Sequence, residues 1–172
     1  MTKDIILSDH FKLSEFTRSA TASAKKIDNT PGSHSIGSGQ AGLPTALAVV
    51  SNLQQLCIHV LEPLREYFNC PIVISSGYRS PTLNKAVGGA KTSQHMTGEA
   101  ADIQIPYRVV SNGSKVQDMT LGLKWFEWIK DNYDFDQLIL EHNNQGTYWI
   151  HISYKQSPSA NRHQVIQDLL KR

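Results

Sequence analysis

The sequence predicts an α+β domain in which a small antiparallel sheet carries helices on one face and a reactive site on the other. Three observations lead there. Apolar residues recur at three- and four-residue intervals from Leu53 to Phe68 and from Leu121 to Ile129, the period of helices with one buried face. Segments 99–105, 137–142 and 148–154 instead read as strands, the last two joined through Asn143-Asn144-Gln145-Gly146, which is hairpin chemistry. Alternation along these strands sets Ile103 and Ile105 opposite Asp102, Leu138 and Leu140 opposite Glu141, and Ile150 and Ile152 opposite His151. Each strand thus spends one metal-competent or acid-base side chain on the face away from the core.

The elements follow in order. Phe11 to Thr17 reads as a short helix with Ser14 as a candidate cap. From Ser19 to Gly42 small and polar residues with Pro31 replace any periodicity, and a long loop is expected. The main core helix begins after Pro44 and Thr45 and runs to about Phe68; Pro63 inside it removes a backbone donor and should break or kink it. His59 on this helix has no companions at metal spacing and is read as structural. Pro71 to Ser75 is a short strand, and Ser80-Pro81 starts a helix that Gly88 and Gly89 close. Val109 to Gln117 is expected as a polar loop, Met119 to Asn132 as an amphipathic helix, and the stretch from Asn161, with Val165, Ile166, Leu169 and Leu170, as a closing helix.

Composition narrows the function. The 172 residues, 40% hydrophobic and 19% charged, suit one domain (1–172) with one core. A net charge of +2 with scattered Lys and Arg provides no basic stripe, so nucleic acid is not expected as a partner. No apolar run approaches the roughly 18 residues of a membrane span, so no membrane insertion is expected. Met1 to Ser8 is not followed by an apolar region of signal-peptide length, so synthesis in the cytoplasm is expected. Cys57 and Cys70 fit free thiols better than a disulfide framework. No heptad pattern is present, and a monomer is expected.

The chemistry concentrates in Ser93-Gln94-His95-Met96-Thr97-Gly98-Glu99-Ala100-Ala101-Asp102. It offers an imidazole and a carboxylate seven residues apart, with a glycine between them where the chain can turn back. His151 would complete three protein ligands and leave a fourth position open, the coordination of a catalytic rather than a structural zinc. Two imidazoles and one carboxylate suit zinc better than magnesium or calcium, without excluding other transition metals. The competing reading is a surface His95, a solvated Asp102 and a hydrogen-bonded strand histidine.

Ser-x-His-x-x-Gly-x-Ala-x-Asp at 93–102, preceded by Ser76-Gly77-Tyr78-Arg79-Ser80 and followed by Trp149-Ile150-His151, resembles peptidase M15, the zinc D-Ala-D-Ala carboxypeptidase and endopeptidase family. Phe11 to Phe16 and Ile27 to Pro31 resemble its phage and prophage branch. The resemblance implies the hedgehog/DD-peptidase fold, one catalytic Zn2+ held by His95, Asp102 and His151, and Arg79 binding and polarising the substrate. With Arg79, the motif residues Ser93, Tyr78 and Trp149 are expected to bind substrate, a stem peptide of bacterial peptidoglycan.

One departure from the family matters. Relatives often carry an acidic catalytic residue three positions before the last histidine, where this chain has Tyr148. Glu141 is the expected general base, since it ends the strand paired with that of His151 and shares its outward face. Glu99 ranks second because alternation should aim it away from Asp102, and His142 is a further polar candidate. The expected function is zinc-dependent hydrolysis of peptidoglycan peptide bonds, by carboxypeptidase or endopeptidase action, in a phage or prophage endolysin that reaches the wall after release or export by another component. The alternative is an inactive, zinc-stabilised wall-binding module.

Overall fold

The structure, a computed structural model, describes residues 4–33 and 42–167. Two short helices open it, α1 (Leu13–Thr17) and α2 (Ala20–Lys25). α1 is capped at Lys12, whose backbone N–H donates to Glu15, rather than at Ser14, which bonds Asp4 through both its amide and its hydroxyl. α2 lies inside the stretch expected as loop. Its start is fixed by Ser19, which accepts from the Ala22 amide, and its end by Lys26 at φ 53. It buries only Ala22, so no apolar period marked it. The rest of that expected loop, 34–41, lies outside the described residues.

The long core helix forms as α3 (Ala46–Leu56), a π-helical turn (Cys57–Leu61) and α4 (Glu62–Phe68) in succession. Pro63 does not end it. Proline cannot donate to the carbonyl four residues back, and the widened turn, in which the Glu62 amide reaches Cys57 O, accommodates that lost bond just before Pro63. His59 stacks on Tyr154 at 4.8 Å, a structural contact. Cys57 and Cys70 are free, and burial pushes the Cys57 thiol well above its usual range.

The sheet is built from β1 (Ile74–Ser76), β2 (Ala100–Gln104), β5 (Gln137–His142), β6 (Tyr148–Ser153) and β7 (Gln164–Gln167), in the order β1-β2-β6-β5-β7. Between β2 and β5 come a small hairpin, β3 (Tyr107–Val109) with β4 (Lys115–Gln117), and α6 (Met119–Asn132). α5 (Pro81–Ala86) starts at Ser80, whose hydroxyl caps the Leu83 amide. Two expectations are corrected. The β3–β4 hairpin stands where a polar loop was expected, exposed enough on both strands to lack a strand's apolar alternation. The closing helix is instead β7, parallel to β5 with Val165 opposite Leu138. Adjacent β-branched Val165 and Ile166 suit an extended edge; Leu169 and Leu170 lie outside the described residues. The other pairings in this sheet are antiparallel.

One face of the sheet meets the helices. Ile103, Leu138, Leu140, Ile150 and Ile152 pack with Leu53, Leu56, Val60 and Leu64 and with Trp125, Phe126 and Ile129 of α6, all essentially without solvent contact. The opposite face carries Asp102, His151, Trp149 and Glu141.

Candidate metal centre

Register brings the site together. Asp102 of β2 pairs with His151 of β6, which pairs in turn with Ile139 of β5, so the three lie in one row across the sheet. His95 arrives from a single 3-10 turn, Gln94–Met96, ahead of β2. That turn is tied to the loop after β1 by reciprocal bonds: the Arg79 amide donates to His95 O at 3.0 Å, and His95 Nδ1 lies 2.7 Å from Gly77 O. A carbonyl can only accept, so Nδ1 carries the proton and Nε2 keeps its lone pair for a ligand.

Gly98, in the same turn, has φ +76, and a Cβ there would stand 2.6 Å from the Val49 carbonyl oxygen of α3. The motif glycine is therefore needed both for its backbone conformation and for the close approach of the helix.

His95 Nε2 lies 3.3 Å from Asp102 Oδ1, and His151 Nδ1 lies 2.9 Å from the same oxygen. The three donors fall within 4.8 Å of one another, and all three residues are buried. Ligands about 2.0–2.2 Å from one tetrahedral ion stand at separations of this order. The set fits zinc in donor chemistry and spacing, and His95 fits it in tautomer as well. Arg79 takes the other carboxylate oxygen, Nη2 to Oδ2 at 2.8 Å, while its Nε donates to Ser76. Burial opposes ionisation of Asp102, but the two histidines beside it outweigh that cost, holding the carboxyl well below the usual range.

These groups floor a cleft of about 870 Å³ on the helix-free face of the sheet. Ser93, Trp149 and Glu141 line it. Glu141 sits one row from His151 on the same face, paired with Trp149, whose indole N–H donates to Glu141 Oε2 at 2.6 Å. Glu99 lines the cleft as well, because it precedes β2 and escapes that strand's alternation; its carboxylate accepts from Thr97.

Two candidates fall away from the site. Tyr78 is 5% exposed and packs in the hydrophobic core, outside the cleft lining, since the turn that aims Gly77 O and Arg79 at the site sends the side chain between them inward. His142 follows Glu141 in β5, so alternation carries it to the other face, where its ring meets Tyr148 at 5.3 Å. Tyr148 itself is half-buried against the core. Lys155 and Arg162, which also line the cleft, escaped the sequence reading because neither belongs to one of the motifs.

A zinc D-Ala-D-Ala carboxypeptidase of Streptomyces albus G is 54% identical to this chain over 33 residues, which is 19% of this chain and 13% of that relative. The chain therefore spans only a small part of that relative's length. The sequence model of the family described as Peptidase M15 matches residues 9–153, a span that holds Arg79, His95, Asp102, Glu141 and His151. With that match over most of its length, the chain belongs to the peptidase M15 family.

Proposed function

We propose that this protein is a zinc peptidase that hydrolyses peptide bonds in the stem peptides of bacterial peptidoglycan. The observation that carries this reading is the convergence of His95 Nε2, Asp102 Oδ1 and His151 Nδ1 at the floor of an open cleft, in a chain of the M15 family. A site closed by four protein ligands would be structural; three ligands facing a cleft leave a place for reactants.

Zinc bound there supplies a Lewis acid for the peptide carbonyl and makes water a nucleophile near neutral pH. The residues around it divide the remaining work. Glu141 takes the proton from the attacking water and returns it to the leaving amine. Trp149 donates to one oxygen of that carboxylate and leaves the other to carry the proton. Arg79 fixes Asp102 and turns its remaining donors toward the carbonyl oxygen as negative charge develops there. No covalent acyl-enzyme forms. An endolysin role belongs to the same reading, supported by the resemblance of Phe11 to Phe16 and Ile27 to Pro31 to the phage branch.

The test is release of new amino groups from purified peptidoglycan by the zinc-loaded protein, beside a chelated sample, His95→Ala and Glu141→Gln. Chelator-sensitive release that Glu141→Gln abolishes while still binding zinc supports the reading, and fragment masses separate carboxypeptidase from endopeptidase action. Tyr148, standing where relatives have an acid, favours a second reading as a zinc-stabilised wall-binding module. Tight wall binding with zinc bound and no release would establish that one.

A further inference from the structure

The cleft is electrically asymmetric along its length. Six of the groups lining it carry charge: Arg79, Glu99, Asp102, Glu141, Lys155 and Arg162. Arg79 and Asp102 pair with each other at the centre. Glu141 lies one row from His151 toward the β5–β6 hairpin. In the other direction the next row on this face is Gln137 with Ser153, and beyond it come Lys155, two residues past Ser153, and Arg162.

Those two cations share one carboxylate. Asp136, with no solvent exposure, accepts from Arg162 Nε at 2.9 Å and from its Nη2, and lies 3.4 Å from Lys155 Nζ. Asp136 and Glu99, whose carbonyl accepts from the Tyr154 amide and whose carboxylate accepts from Thr97, match these two positive charges in number, so what this end offers an anion is directed donors rather than net charge. The geometry also orders it. The side-on pair through Nε and Nη2 leaves Nη1 outside the bond, and the guanidinium is half exposed at 53%. A surface arginine held only by solvent would lose rotamer freedom on meeting an anion; one clamped by a buried aspartate has already lost it.

We infer that Lys155 and Arg162 form a carboxylate-binding subsite that anchors an acidic group of the substrate at a distance from the scissile bond. This rests on the peptidase reading above and sets a specificity for it. Two residues along a strand cover about 7 Å, so Lys155 lies on the order of 14 Å from His151. An extended peptide reaches that far in roughly four residues. The ligand is thus a peptide carrying a carboxylate that many residues from the cleaved bond, either an acidic side group or the chain's own C-terminus. With Glu141 at the opposite end, the peptide lies with this carboxylate toward Arg162.

The experiment measures affinity by calorimetry on the zinc-loaded Glu141→Gln protein, with and without Lys155→Met or Arg162→Gln. The probes are one synthetic stem peptide in three forms: all carboxylates free, the internal carboxylate as carboxamide, and the C-terminus as carboxamide. One carboxamide should bind about tenfold more weakly than the free peptide, and its position names which carboxylate is read. Lys155→Met and Arg162→Gln should weaken the free form by a similar factor and leave that carboxamide form nearly unchanged, which a merely structural role would not do. Equal binding of all three forms, or equal loss across them in the variants, overturns the subsite. Wild-type turnover of the same peptides separates the failures: cleavage indifferent to amidation removes the subsite alone, whereas no binding and no cleavage of any form removes the peptidase reading with it.

Discussion

Arg79 and Asp102 divide a carboxylate between two tasks. Arg79 Nη2 occupies Oδ2 at 2.8 Å, which leaves Oδ1 toward His95 and His151, so under the proposed function the aspartate offers zinc one oxygen. Partners that orient a metal ligand are worth roughly 10- to 100-fold in affinity. Arg79→Gln should therefore weaken zinc binding by about that factor in a chelator competition as well as lower turnover. Arg79→Lys should recover little, since a point charge cannot bridge Ser76 and Asp102 as the guanidinium does. Unchanged zinc affinity in both variants would confine Arg79 to the substrate.

Zinc should also stabilise the fold, because the three residues proposed to hold it come from β2, β6 and the turn ahead of β2. Zinc in hundredfold excess over its dissociation constant adds about 2.7 kcal/mol to the folded state. Thermal unfolding should shift upward by several degrees on adding zinc to the wild type and hardly at all in His151→Ala. An equal shift in that variant would place the ion elsewhere.

Trp149 offers a narrower test of the base. Its indole N–H is the hydrogen bond that orients Glu141. Trp149→Phe keeps most of the ring and loses the donor, so kcat should fall about tenfold while zinc affinity stays as it was. A large loss of zinc instead would show the tryptophan supporting the metal site, and no change in either would leave Glu141 without need of it.

The extent to which this site was legible in sequence depended on how its residues are held. Asp102 and His151 sit in regular strands, where a two-residue period settles the face, and Glu141 followed from the same rule. That period misplaced Glu99, which lies before the strand begins, and did not address Tyr78, whose direction is set by an irregular turn bonded to His95. Lys155 and Arg162 left no local trace, because their proximity depends on β7 pairing parallel to β5 and on the buried Asp136. α2 and β7 were missed for a related reason: a short helix burying one alanine and an edge strand with exposed side chains carry almost no periodic signal.

Gly98 links motif to packing in a way stability can read. Gly98→Ala must adopt φ +76 and push against the Val49 carbonyl oxygen at 2.6 Å, with no flexible side chain to give way. Strain of this kind costs about 1–3 kcal/mol, before the overlap is counted. Urea unfolding of the zinc-free variant should show at least that loss. Full stability would mean that α3 can withdraw from the turn, and zinc affinity should then be unaffected too.

Asp136 gives the fold an acid limb that a single variant can isolate. Burial works against its charge, but the side-chain and backbone hydrogen bonds from Arg162, with Lys155 nearby, outweigh it and lower the pKa from 3.8 to about 2. The folded state then binds fewer protons than the unfolded chain between these values, so stability rises with pH across that window. The contribution is complete above about pH 4 and is lost as pH falls through about 2, and a shift of this size is worth roughly 2 kcal/mol. Asp136→Asn should unfold at lower urea than the wild type at pH 7, by about that free energy, with the gap closing toward pH 2. Because the variant frees Arg162 from its clamp, a gap that stayed constant with pH would assign the loss to packing of β7 rather than to the buried charge.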